Sequence, residues 1–143
     1  MERIAAVADT GFVVALLNRV DDAHETVKST YVQLDGDILL PQTVLVEVAY
    51  LVGKEAGVGV VVAFLRGLPL SRFRLVALVP RDVKRTSEIL EKYRDSRIDF
   101  VDATVMAVSE RVRCKTILTL DRRDFLLFRP MYWDHFELLP EGL

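Results

Sequence analysis

Cysteine is nearly absent from this chain of 143 residues: Cys114 stands alone, so no internal disulfide is available. Histidine is almost as scarce. With only His24 and His135 to join that one thiol, a zinc site of the usual Cys/His kind is excluded. Proline (5) and glycine (7) are too few for a flexible linker or a low-complexity tract. Nor does either sign of charge dominate: 19 Lys+Arg against 21 Asp+Glu leave a net charge of -2, so any nucleic-acid contact must come from a local patch. Long hydrophobic runs are missing too. "VGVVVAFL" falls well short of the roughly 20 residues that span a bilayer. The opening "MERIAAVADTGFVVALL" is interrupted by Asp9 and leads to no small-residue cleavage site, which argues against a signal peptide. These absences predict a soluble protein in a reducing, cytoplasmic setting, with no membrane partner.

What is present is an ordinary globular composition, 51% hydrophobic and 28% charged, which predicts one domain over residues 1–143. "IAAVA" (4–8) reads as a strand buried on both faces, followed by a helix in "TGFVVALLN". "DDAHETVKSTYVQL" carries Ala23, Val27, Tyr31 and Leu34 at helical spacing, and "DGDILLP" gives a turn, a three-residue strand and a stop. A helix to about Ala56 and another to about Arg66 lead to a strand in "FRLVAL". "RDVKRTSEILEKY" is an amphipathic helix with Val83, Ile89, Leu90 and Tyr93 inward. "FVDATVMAVSERV" is a helix, and "TILTL" and "FELLP" are strands. Strands alternating with helices predict an α/β sandwich around a mostly parallel sheet.

Ligands of such sheets bind beyond the carboxyl ends of the strands, where loops and helix N-termini converge. Asp9 directly follows "IAAVA", Asp121 directly follows "TILTL", and Asp102 lies in the first turn of a helix. Glu47 is the one charged residue in the apolar stretch "TVLVEVAYLV". Taken singly, each aspartate suits a helix cap, and Glu47 suits a buried ion pair with an arginine. Gathered at one edge they would repel, since two unit charges 4 Å apart interact by about 4 kcal/mol at an effective dielectric of 20. Either some are protonated or a cation holds them. Oxygen ligands without His or Cys select Mg²⁺ or Mn²⁺, and such a site suits phosphodiester hydrolysis.

The segments "VADTGFVVALLN", "PQTVLVEVAYLV", "DFVDATVMAVSERV" and "TILTLDRRDF", in this order and spacing, resemble the PIN-domain family, and within it the VapC-type endoribonuclease toxins. The resemblance covers nearly the whole chain. It implies a PIN-like three-layer sandwich, a central mostly parallel sheet flanked by helices, and a nuclease site of Asp9, Glu47, Asp102 and Asp121 around one or two divalent ions. Asp99 is a candidate for support, by capping or through ligand water, Asp124 for orienting Arg122 or Arg123 or capping the next turn, and Thr10 and Thr119 for holding the carboxylates by hydroxyl hydrogen bonds. Arg94, Arg97, Arg122 and Arg123 flank the proposed edge and suit RNA phosphates, or else a salt-bridged surface. His24 has no placed partner and reads as a polar-face residue.

"VGVVVAFLRGLPL" holds more apolar residues than one core face needs, so it reads either as core or as an interface. The resemblance implies a homodimer and a small antitoxin whose tail docks in a groove leading to the site, with a basic residue displacing the metal. The expected function is metal-dependent hydrolysis of RNA by the toxin of a toxin–antitoxin pair. The alternatives are a non-catalytic PIN-fold binding module or an RNA-processing component without a toxin role. A receiver-type phosphoacceptor domain fits less well, because the acidic pair beside the first strand and a late lysine are not where it needs them.

Overall fold

A computed structural model of the chain describes residues 3–142, so residues 1, 2 and 143 of the expected domain lie outside the described residues. Its elements are β1 (Ile4–Ala8), α1 (Thr10–Leu17), α2 (His24–Gln33), β2 (Asp37–Pro41), α3 (Gln42–Ala56) and α4 (Val58–Gly67). A 3₁₀ turn (Leu68–Leu70) leads to β3 (Phe73–Val76), α5 (Pro80–Lys92), α6 (Phe100–Arg111), β4 (Thr116–Leu118), α7 (Arg122–Leu127) and β5 (Glu137–Leu139). Five strands form one sheet in the order β3-β2-β1-β4-β5, and every pairing is parallel. The expected α/β architecture of a parallel sheet flanked by helices is therefore observed. Among the described residues no helix is long and apolar enough to cross a membrane.

The strands are short and apolar because both faces are covered. Ala6, Val7 and Ala8 of β1 and Ile38 and Leu40 of β2 are wholly buried. β2 runs five residues, two more than the sequence suggested, because its pairing with β3 extends from Ile38↔Phe73 to Pro41↔Val76. The turn before it requires Gly36: the residue sits at φ +117°, and a Cβ there would meet the Arg3 carbonyl oxygen at 2.6 Å. That same carbonyl accepts the Asp37 N–H at 2.7 Å, starting the strand.

The chain leaves β1 toward β2 on one side and later returns to β4 on the other, so the strand order reverses at β1. In a doubly wound sheet this is where a crevice opens, beyond the carboxyl ends of the two strands. Asp9 follows β1 and Thr119 follows β4 at that point.

α6 carries unbroken burial from Ala103 to Glu110 and is the central helix of its layer. α5 packs along it largely as the apolar pattern suggested: Ile89 is buried, and Leu90 and Tyr93 pack against the core. Val83, expected inward, is exposed, while Asp82 and Thr86 are buried. Asp82 is held there by Arg111, whose Nε donates to both of its carboxylate oxygens (2.8 and 3.1 Å). His24 also departs from expectation. Its Nδ1 lies 2.8 Å from the Ala15 carbonyl oxygen and ties α2 to α1. The C-terminal segment is held by aromatic packing, with Phe125, Phe128 and Phe136 buried and Phe128 stacked on Phe136 at 5.9 Å.

Candidate active site

Asp9 occupies the cap position before α1, yet its carboxylate makes no capping hydrogen bond to the helix. It is buried and points across the crevice, where Oδ2 accepts the Thr119 hydroxyl at 2.8 Å. The same Thr119 oxygen accepts the Asp121 N–H at 2.9 Å. One fully buried hydroxyl, donating once and accepting once, thus fixes Asp9 against the start of the Asp121 turn.

Asp102 is positioned by reciprocal capping of α6: Asp99 Oδ1 accepts the Asp102 N–H at 2.9 Å, and Asp102 Oδ2 accepts the Asp99 N–H at 3.2 Å. Asp99 is thereby the cap and itself exposed. Asp121 caps α7 in the same way, accepting the Asp124 N–H at 3.4 Å. Oxygens of Asp102, Asp121 and Asp124 lie within 4.8 Å of one another. The structure therefore brings three carboxylates into one group, with Asp9 bridged to them through Thr119. Glu47, half-buried on α3, lies near enough that its charge acts on Asp9. α3 is anchored beside α6 at this end by the 2.7 Å contact of the Thr43 and Thr104 hydroxyls.

The electrostatics follow from burial and like charge. Asp9 is pushed up to about 6, chiefly because burial penalises the ionised form; the Thr119 hydroxyl and Thr10 backbone pull it down, and Asp121 and Glu47 push it up. Asp102 is pushed up to about 8, first by burial and then by the charge of Asp9. Asp124 is also raised, by burial and by its contact with Asp121, while Arg97 and Arg123 act in the opposite direction. Carboxylates that hold protons near neutrality crave a cation. The donor set is all oxygen, which fits Mg²⁺ or Mn²⁺ and does not fit zinc or copper. Beside it the Thr10 hydroxyl is buried with no hydrogen-bond partner among the described residues, a polar atom free to meet a ligand or its water.

The four arginines divide. Arg97 and Arg123 are close enough to influence Asp124 and stand at the rim. Arg94 pairs with Glu91 at 3.1 Å, and the Arg122 guanidinium donates to the carbonyls of Leu138 (3.4 Å) and Pro140 (3.2 Å), tying α7 to β5. Sequence spacing understated Asp124, because it read the residue as a cap or an arginine partner. The signal was available: three residues after a cap that follows a strand end, a side chain lies on the same face as the cap. No pattern in the sequence announced the apolar groove of about 500 Å³ whose lining includes Leu16, Leu17, Tyr31, Phe64, Leu68 and Phe73. α1 runs from the acidic site at Thr10 to this groove at Leu17.

Residues 6–129 match the PIN domain family. Over 134 residues the chain is 30% identical to ribonuclease VapC26 of Mycobacterium tuberculosis, covering 94% of this chain and 99% of that protein. It resembles the crystal structure of Mycobacterium tuberculosis VapC20, a sarcin-ricin loop cleaving toxin, with a TM-score of 0.72 and 26% identity over 80% of this chain and 87% of the other. The fold is also shared with a chain of VapBC2 from Rickettsia felis, solved bound to a DNA fragment from its promoter, with a TM-score of 0.68 at 16% identity over 95% and 97% of the two chains.

Proposed function

Because the chain belongs to the PIN domain family, we propose that it is an endoribonuclease that hydrolyses RNA phosphodiester bonds with a bound Mg²⁺ or Mn²⁺, acting in the cytoplasm as the toxin of a toxin–antitoxin pair. The observation that carries this reading is the meeting of Asp102, Asp121 and Asp124 within 4.8 Å, without a cation of the protein's own paired to any of them among the described residues.

Asp102, Asp121 and Asp124 would hold the ion, with Asp9 and Glu47 adding negative charge from the other side of the crevice. When bound, the ion would supply Lewis acidity: it lowers the pKa of ligand water and offsets charge that builds on the phosphate. The chain's own residues do the rest. Asp9, held by Thr119, takes up or releases a proton near neutral pH and orients water. Arg97 and Arg123 receive backbone phosphates at the rim. Among the described residues no side chain is placed as a nucleophile: His24 is engaged with Ala15, and burial pushes the Cys114 thiol up, away from the reactive thiolate.

The apolar groove at the far end of α1 is the seat for an antitoxin segment, and the exposed Val46 and Tyr50 of α3 with Val58 and Leu65 of α4 suit a homodimer face. That face is the outer side of the apolar stretch from Val58 to Leu70, whose inner residues Val60, Val61 and Phe64 pack on the core. The decisive experiment is RNA cleavage by the purified chain with Mg²⁺ or Mn²⁺, in excess chelator, and in Asp121→Asn. Asparagine caps a helix as well as aspartate, so the variant stays folded while cleavage drops more than about 100-fold. Undiminished cleavage in chelator or in the variant refutes the reading.

A further inference from the structure

Beyond the acidic edge, α6 ends in a turn that the nuclease reading leaves unused. The Cys114 N–H donates to the Ser109 carbonyl (3.0 Å) and the Arg113 N–H to that of Glu110 (3.2 Å), the pair of bonds that closes a helix around one left-handed residue. That residue is Arg113, at φ 56°, where glycine or asparagine is the unstrained choice. Its side chain shows what the arginine does there: the guanidinium carbon lies 3.5 Å from the centroid of the Tyr132 ring.

Tyr132 forms the ridge between two clefts. One, of about 360 Å³, lies between α5 and the end of α6; the other, of about 560 Å³, opens on Lys115, Arg129 and His135. In the first cleft the carboxylates are already matched, Glu110 and Glu88 with Arg85 and Asp82 with Arg111. Arg81, Lys84 and Arg113 have no carboxylate partner among the described residues, so positive charge is left over on a chain that is negative as a whole. Lys115 and Arg129 extend it past Tyr132, which is itself 43% exposed. Unpaired cations tracking past an exposed aromatic ring suit the phosphates and unstacked bases of a single strand.

The placement relative to the acidic site is fixed by the fold. Arg113 and Lys115 precede β4 while Asp121 follows it, and Asp102 and Arg111 stand at opposite ends of α6, about 14 Å apart along its axis. The surface therefore lies at the far end of α6 from the carboxylates, beyond the reach of a phosphate held by them.

We propose that Arg113 stacked on Tyr132, with Arg81, Lys84 and Lys115, forms a second RNA-binding surface that grips single-stranded substrate away from the bond that is cut. The identity of the polymer rests on the nuclease reading; the surface itself does not depend on metal chemistry. The test is the binding of a labelled single-stranded RNA of mixed sequence to the full chain in chelator, across a salt series. Arg113→Gly relaxes the backbone, so its melting temperature should hold or rise, which separates binding from folding. Combined with Arg81→Gln and Lys84→Gln, it should weaken binding about tenfold near 0.1 M salt and reduce the slope of log affinity against log salt by roughly 2. Arg113→Lys should recover part of that slope. Unchanged affinity and slope in a folded triple variant overturn the proposal, even if the wild type cleaves RNA. Loss of binding in a chain that cuts no RNA with any divalent ion supports the surface and sinks the nuclease reading instead. Displacement of RNA by polyglutamate at equal or lower concentration assigns the surface to an acidic protein and overturns the proposal.

Discussion

At the carboxyl-terminal end of α6 two buried acids are fully answered: Glu110 accepts from Arg85 Nε (2.7 Å) and Nη2 (3.1 Å) and from the Met131 N–H (2.8 Å), and Asp82 accepts from Arg111. At its amino-terminal end Asp102 meets Asp121 and Asp124 with no such partner, and its affinity for a proton rises to about pH 8. The two ends of α6 therefore hold their acids by two opposite rules. Where a carboxylate only holds the fold together, the chain supplies the counter-ion itself, because an uncompensated buried charge costs several kcal/mol. Where the counter-ion is left out, the fold bears repulsion that it could have avoided, and that strain is the mark of a site meant for something from outside.

Removing one acid from each end sharpens this difference most. Glu110→Gln leaves Arg85 without its main charge partner, and with Arg85 partly open to solvent the loss should be about 2–4 kcal/mol in denaturant unfolding. Asp102→Asn keeps an oxygen for the Asp99 N–H and is neutral without having to hold a proton that the unfolded chain releases, so it should stabilise the metal-free protein by about 1 kcal/mol near neutral pH while abolishing cleavage. Two losses of equal size would show that the acidic crevice is as structural as the far end, and the contrast would collapse.

The sequence carried the sheet, its strand-helix alternation and the candidate carboxylates because each depends on local pattern: apolar runs for strands, and acids directly after them. It placed Ile89, Leu90 and Tyr93 of α5 on the core but missed Asp82 and Val83, since the ion pair that buries Asp82 joins it to Arg111, 29 positions away, and leaves no local pattern. Nor could it weigh Asp124 against its neighbours, because capping and clustering use the same residue types at the same spacing, and only the fold shows which oxygens remain free. Arg122 looked as available as Arg123 until the turn of α7 sent it to the carbonyls of β5. The Arg113–Tyr132 pair was illegible for a different reason: nothing local betrays a left-handed arginine.

A smaller change tests how tightly the crevice is wired. Thr119→Val removes the hydroxyl between Asp9 and the Asp121 N–H without altering volume much. Taking the side-chain hydrogen bond from the buried Asp9 carboxylate, and the acceptor from the Asp121 N–H, should cost about 1–3 kcal/mol and weaken metal binding roughly 10–100-fold. Thr119→Ser, which restores the hydroxyl, should recover most of both, whereas equal behaviour of the two variants would remove Thr119 from the site.

The smallest expected effect is the dependence of stability on pH, and its sign is set by the acids of the crevice. Below the ordinary carboxyl value of 3.8, Asp9 and Asp102 are protonated whether the chain is folded or not, and they contribute no slope. Between 3.8 and their folded values of about 6 and about 8, the native state holds protons that the unfolded chain has released, so stability falls as pH rises. In chelator the melting temperature should therefore drop by roughly 5 °C from pH 5.5 to pH 8.5, a loss of about 1–2 kcal/mol once solvent access to Asp102 is allowed for. Mn²⁺ should reverse the drop, and raise the melting temperature more at pH 8 than at pH 6, because at the lower pH protons compete for the same oxygens. A metal-free protein whose stability climbs from pH 5.5 to pH 8.5 would mean that the carboxylates of the crevice are as well answered as Glu110.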